Sequence, residues 1–147
     1  AGDGSFGFGF PIGANGIAFR NGELIVANTE RGRLVRIPVE PDGSAGNASV
    51  LVESTALLGA DGIALDVHGD VYVASSIFYT VVRVGSDGLI ETLATADDGL
   101  NQPSTLAFGT GKGERQTLFV ANFSIFSPSP TPAVLKLSVG VPGQPLP

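Results

Sequence analysis

Short apolar runs broken by glycine-, asparagine- and aspartate-rich turns recur along the chain, and this pattern predicts strands throughout. Ile17–Phe19 and Glu23–Ala27 flank Asn21-Gly22, a strong hairpin signal. Leu34–Ile37 reads as a third strand, Pro41-Asp42-Gly43 as the next turn, and Ser49–Glu53 as a fourth strand, with Val50 and Val52 facing opposite to Leu51. The order then repeats. Ile63–Val67 and Val71–Ala74 flank a turn at His68-Gly69-Asp70; Val81–Val84 matches Leu34–Ile37 in residue type; Ser86-Asp87-Gly88 matches the earlier turn; Leu89–Leu93 matches the fourth strand. A third round offers Thr105–Phe108, Thr117–Ala121 and Val134–Leu137, with a Pro- and Ser-rich insertion at 127–132.

A repeat of 40-odd residues made of four short strands is the mark of a β-propeller blade. The expected fold is therefore all-β: a β-propeller with three four-stranded blades, at about 13–58, 59–101 and 102–147, preceded by an aromatic and glycine-rich lead-in at 1–12. In that lead-in Phe6, Phe8 and Phe10 alternate with glycines; the reading is an aromatic plug under a loop, or else an aromatic lip beside a site. The fourth strand of the last blade is poorly supported, because residues 139–147 contain three prolines. Three blades do not close a ring, so the sequence predicts half of a six-bladed propeller. A missing segment or a second copy would complete it, in the latter case as a homodimer of half-propellers.

Composition narrows the function. The net charge of −6 without a basic cluster argues against nucleic acid as a partner. The absence of cysteine excludes disulfides, zinc–thiolate sites and thiol nucleophiles. No apolar run is long enough to span a bilayer, so no membrane partner is expected. A chain without methionine that begins at Ala1 suits a fragment or a processed product. A removed secretion signal would leave the same trace, which fits a soluble, bacterial, secreted or periplasmic protein.

The repeat has one chemical consequence. Gly13-Ala14-Asn15-Gly16-Ile17-Ala18-Phe19 returns as Gly59-Ala60-Asp61-Gly62-Ile63-Ala64-Leu65 and, weakened, as Gln102-Pro103-Ser104-Thr105-Leu106-Ala107-Phe108. Asn15, Asp61 and Ser104 thus hold equivalent places just before the innermost strand of three successive blades. Three oxygen-bearing side chains at one channel mouth suit a hard divalent cation. The competing reading is that Asn-Gly and Asp-Gly are turn formers. Two tight hairpins at Asn15-Gly16 and Asn21-Gly22 would leave only four residues between them, which weighs against that reading for Asn15; for Asp61 it stands better.

At these residues, and through Asp66-Val67-His68-Gly69-Asp70-Val71-Tyr72-Val73-Ala74, the chain resembles the C-terminal half of the senescence marker protein-30/gluconolactonase/LRE-like family. The resemblance implies a six-bladed propeller with one divalent cation held by a Glu, two Asn and an Asp. Asn15 matches the Asn of the family's Pro-Asn-Gly motif and Asp61 the Asp of its Pro-Asp-Gly motif, both with Ala in place of Pro. The remaining Glu and Asn have no counterpart here. The function so implied is a divalent-metal-dependent lactonase or esterase, inactive if the fragment cannot complete its site. Asp61 would act as both ligand and catalytic proton acceptor, with Ca²⁺ as the first choice of cation, Mg²⁺, Mn²⁺ or Zn²⁺ as alternatives, and a small lactone or sugar-like molecule as substrate. The alternative is a non-enzymatic, NHL-like propeller that binds ligands or proteins.

Other residues carry less. His68, the only histidine, reads as a turn residue. Asn28, Ser75 and Asn122 recur at the ends of second strands and are expected to brace loops. Arg36, Arg83 and Lys136 recur on third strands as a solvated face, and Asp97-Asp98-Gly99 reads as a turn.

Overall fold

The computed structural model describes Gly4 and residues 11–145. The Phe6–Phe8–Phe10 segment lies outside the described residues. Among the described residues eleven strands form three antiparallel sheets. The first holds β1 (Ala14–Arg20), β2 (Glu23–Asn28), β3 (Arg33–Pro38) and β4 (Ser49–Glu53) in sequence order. The second repeats this with β5 (Ala60–Leu65), β6 (Val71–Ser75), β7 (Thr80–Val84) and β8 (Ile90–Ala94). The third has β9 (Pro103–Phe108), β10 (Thr117–Asn122) and β11 (Ala133–Ser138). Among the described residues no helix is long and apolar enough to cross a membrane.

The turn chemistry works as its residues demand. Asn21 and Gly22 both take positive φ (50° and 78°), the twist a two-residue hairpin needs. Thr95 caps the short 3-10 turn Ala96–Asp98 in a reciprocal capping box with Asp98, so the Asp97-Asp98-Gly99 stretch is a turn.

Strand alternation directs one face of each sheet at its neighbour. Ile25, Ala27 and Leu34 of the first sheet pack on Ile63, Val73 and Val82 of the second. Tyr72, Ala74 and Val81, on the reverse face of the second, pack on Leu106, Leu118 and Val120 of the third. Every β6 residue is therefore buried: the strand is sandwiched on both sides. The two outer faces differ. On the first sheet Ile17, Phe19 and Val50 are exposed and apolar, whereas on the third Lys136 lies 5.0 Å over the Phe119 ring and pairs with Glu114 at 3.5 Å.

After β11 the chain does not add an outer strand. The segment following Ser138 turns back under the sheets. Val67 N–H donates to the Pro142 carbonyl, Gln144 N–H to the Leu65 carbonyl, and the Gln144 side chain to the Phe19 carbonyl at 2.9 Å. Proline is suited to such a path because it needs no ladder partner.

At that same end, Asp66 is fully buried. Its Oδ1 accepts from the N–H groups of His68, Gly69 and Asp70 at 2.8–3.0 Å, and Tyr72 donates its hydroxyl to Oδ2 at 3.2 Å. Burial, then the neighbouring Asp66 carboxylate, pushes the Tyr72 phenol up to about 12. Asp66→Ala would remove the acceptor of the His68 and Asp70 N–H groups and of the Tyr72 hydroxyl, while Gly69 N–H keeps the Asp66 backbone carbonyl at 3.1 Å, and we expect a loss of about 3 kcal/mol in urea denaturation, with Asp66→Asn losing less.

Candidate functional site

The innermost strands of the three sheets are β1, β5 and β9, which run side by side. Each is interrupted at the same place. In β1, Ala14 faces Asn28 but Ile17 faces Val26, so one extra residue is accommodated at Asn15-Gly16. In β5 the same shift falls between Ala60 and Ile63, at Asp61-Gly62. In β9, Pro103 faces Asn122 and Thr105 faces Ala121, leaving Ser104 as the extra residue. These are β-bulges, which re-aim side chains at sheet ends and beside sites. Neither Asn15-Gly16 nor Asp61-Gly62 is a hairpin turn: both lie inside strands, and neither glycine has positive φ.

The glycines serve close approach instead. A Cβ on Gly16 would overlap the Asp61 carbonyl oxygen, and one on Gly62 would sit 2.5 Å from Thr105 Cα and 2.9 Å from the Ser104 carbonyl oxygen. Each bulge therefore presses on the next, so Asn15, Asp61 and Ser104 sit on three abutting segments.

The side chains follow. Asn15 Nδ2 donates to Thr29 Oγ1 at 3.2 Å, and Thr29 Oγ1 donates to the Ala60 carbonyl at 2.8 Å, clamping the first sheet to the second. Burial pushes the half-buried Asp61 carboxyl up to about 6, against a side-chain hydrogen bond from Asn15 that works to lower it. The structure thus brings Asn15 and Asp61 into contact. Ser104, half-buried, meets Asp61 only through the Gly62 backbone.

Two residues of this region were not evident from sequence. Thr29 bridges Asn15 and the second sheet, and its only sequence signal is its place after Val-Ala-Asn. Glu30, buried, accepts backbone N–H groups from Gly4 and Ile12 at 3.0 Å, which fixes those two residues at the end of β2. Replacing Thr29 by Val would remove the clamp at nearly constant volume; a stability loss of about 1–2 kcal/mol is expected by urea denaturation.

Other sequence candidates lie elsewhere. His68 is in the turn after β5, the length of that strand from Asp61, roughly 20 Å at ~3.3 Å per residue. No Ser104–His68 dyad is possible at that separation. Asn28, Ser75 and Asn122 do brace loops: Asn28 Oδ1 accepts from Arg31 N–H, Ser75 donates to the Leu58 carbonyl, and Asn122 accepts from Asn101 N–H while donating to the Gly99 carbonyl. Arg36 and Arg83 pair at the surface with Glu23 and Glu91.

Below the bulges the inner strands line a cleft of about 540 Å³. Its wall runs along Ile17 to Phe19, Ile63 to Leu65 and Leu106 to Phe108, and Gly143–Pro145 bound it at the far end. Among the described residues that line it, Arg115 alone is charged.

The sequence profile of the SMP-30/Gluconolactonase/LRE-like region matches residues 11–124, most of the chain and all three bulges. The chain belongs to this family. No curated protein matched the sequence. Among solved structures the fold is similar to a luciferin-regenerating enzyme (TM-score 0.71, 20% identity, covering 90% of this chain and 47% of that one). It is also similar to a calcium-binding regucalcin from Agrobacterium tumefaciens (0.63, 22%, 89% and 46%) and to a gluconolactonase from Xanthomonas campestris (0.59, 20%, 92% and 39%). At such identities the likeness establishes the propeller-type fold. The chain spans less than half the length of each of these relatives.

The donor set itself bears on the cation that the family implies. Among the described residues no three His, Cys, Asp or Glu side chains gather to hold a metal. What the bulges offer is one carboxylate, one amide and one hydroxyl, all hard oxygen donors, with the carboxylate desolvated. That chemistry fits part of a Ca²⁺- or Mg²⁺-type shell and does not fill one.

Proposed function

We propose that this chain carries part of the active site of a divalent-cation-dependent lactone hydrolase. The observation that carries the reading is the half-buried Asp61 carboxylate on a bulge that abuts the equivalent bulges bearing Asn15 and Ser104. Asp61 and Asn15, with Ser104 at the matching bulge, would hold the cation, Ca²⁺ as first choice. When bound, the cation supplies Lewis acidity toward the lactone carbonyl and the developing oxyanion. Asp61 takes a proton from the attacking water; as a cation ligand it would be a weak base by itself, and the step depends on the cation also acidifying that water. Asn15, tethered through Thr29, orients the Asp61 carboxylate. The remaining donors would come from further blades on the apolar outer face of the first sheet, around Ile17, Phe19 and Val50, which light scattering of the purified protein would detect as a larger particle. Support comes from the family membership and from the likeness to a calcium-binding regucalcin and a gluconolactonase.

The test is lactone hydrolysis followed with a pH indicator, with Ca²⁺, Mn²⁺ or Zn²⁺ added, for wild type and Asp61→Ala. A fall of at least a hundredfold in the variant is expected. Equal rates would remove Asp61 from the chemistry.

A further inference from the structure

The loops beside the bulges bear on what the site would accept. The β6–β7 loop, 76–79, starts where Ser76 N–H donates to the Gly59 carbonyl at 3.1 Å, two residues before Asp61. The β10–β11 loop, 123–132, starts where Phe123 N–H donates to the Gln102 carbonyl at 3.0 Å, two residues before Ser104. Both loops thus stand at the same end of the sheets as the bulges. Neither contains a charged residue. Instead they expose large apolar side chains: Phe126 is 71% exposed, Ile125 58%, Phe123 54% and Phe78 50%.

The longer loop is built to hold them there. Gln102 Oε1 accepts from Phe126 N–H at 2.8 Å, and the Phe123 and Phe126 rings meet edge to face at 6.3 Å. Ser124, fully buried, accepts from Thr131 N–H at 2.7 Å, and Asn101 Nδ2 donates to the Ser129 carbonyl and Thr131 Oγ1. Pro128, Pro130 and Pro132 restrict the rest. Three aromatic or branched side chains, Phe123, Ile125 and Phe126, are presented by this internally bonded loop, with Phe78 on the shorter one, and an exposed apolar group of this size marks a place where something apolar binds. Much of this character continues inward, since the cleft beginning at Ile17, Ile63 and Leu106 is walled mostly by apolar residues, with Thr110, Arg115 and Gln144 toward its far end.

The geometry points to a substrate with an apolar substituent: a lactone or ester carrying an alkyl or aryl group, seated on the rim formed by Phe78, Phe123, Ile125 and Phe126, with its carbonyl at the Asp61 bulge. This rests on the hydrolase reading above for the chemistry, and not for the apolar contact. A polyhydroxylated sugar lactone would find few polar partners on such a rim, and its hydroxyls would lose water without replacement. An alkyl chain gains with each methylene covered, up to about fourfold in affinity per fully buried group.

The test is a binding series read by NMR shift titration. γ-Lactones with side chains of increasing length, and δ-gluconolactone, are titrated into the whole protein, the Phe123→Ser/Phe126→Ser double variant and Asp61→Asn, with hydrolysis followed in parallel. Both phenylalanines are exposed, so the double variant should keep its strand circular dichroism. Affinity is expected to rise with chain length, to exceed that for δ-gluconolactone at least tenfold for the longest chain, and to lose its chain-length dependence in the double variant but not in Asp61→Asn. A series that binds in this way without hydrolysis supports the apolar subsite while overturning the hydrolase reading. Affinity that ignores chain length, or that survives the double substitution, overturns the subsite. So does rim-dependent binding to phosphatidylcholine vesicles without lactone binding, which would assign the rim to a lipid surface.

Discussion

Gly16→Ala is expected to cost about 3 kcal/mol or more in urea denaturation, and Gly62→Ala nearly as much. The added methyl at Gly16 would meet the Asp61 carbonyl oxygen, and at Gly62 it would meet Thr105 Cα. Both obstacles are backbone atoms of an inner strand, so no side chain can swing aside; relief requires the sheets to part. Parting them opens the cores formed by Ile25 and Leu34 against Ile63 and Val73, and by Tyr72 against Leu106. Overpacking of this kind costs ~1–3 kcal/mol where neighbours can yield and more where they cannot. Gly22→Ala is the control. Nothing lies within 4 Å of its Cβ position, and only its φ of 78° opposes the change, so a loss of about 1 kcal/mol is expected. Gly16→Ala should also separate Asn15 from Asp61, and any cation-induced rise in melting temperature should vanish with it. A Gly16→Ala protein as stable as wild type would mean that the inner strands do not abut.

The second large effect is on pH. With Asp61 pushed from 3.8 up to about 6 by burial, the folded protein binds a proton that the unfolded chain releases between those values. Stability from this group is therefore fully present below about pH 4 and is lost as pH rises through about 6. The shift corresponds to at most about 3 kcal/mol, and solvent access to the half-buried carboxylate should reduce the observed change to about 1–2 kcal/mol. Melting temperatures of the metal-free protein across pH 4–7 should show the decline. Asp61→Asn should flatten it and leave the variant more stable than wild type at pH 7. Added Ca²⁺ should raise the wild-type melting temperature at pH 7 and leave Asp61→Asn nearly unmoved, since a cation would compensate the same buried charge. A wild-type protein whose stability rises from pH 4 to 7, and whose melting temperature ignores Ca²⁺, would be at odds with an uncompensated carboxylate at this position.

Much of the architecture was legible from local pattern. The period-two runs located the strands, and Asn21-Gly22 located a hairpin whose two positive-φ residues are what that dipeptide provides. Ser49–Glu53 coincides with β4. The departures share one physical origin. The apolar runs alone predict strands at Ile17–Phe19 and Ile63–Val67, starting after the Asn-Gly and Asp-Gly pairs. In the folded chain β1 begins at Ala14 and β5 at Ala60, and the pairs lie within the strands as bulges. The tail after Ser138 likewise offered only its prolines; that it crosses beneath all three sheets depends on carbonyls of Phe19 and Leu65, far away in sequence.

The repeated Ala-Asn-Gly and Ala-Asp-Gly triplets by themselves determined that Asn15 and Asp61 occupy equivalent places in successive blades, because equivalence follows from repeat spacing and strand order. What only the tertiary structure decided is that these places are abutting bulges, that Thr29 joins Asn15 to the neighbouring sheet, and that Asp61 is desolvated there. Those properties arise from three inner strands approaching closely enough to exclude a methyl group, a distance between sheets that no local pattern encodes.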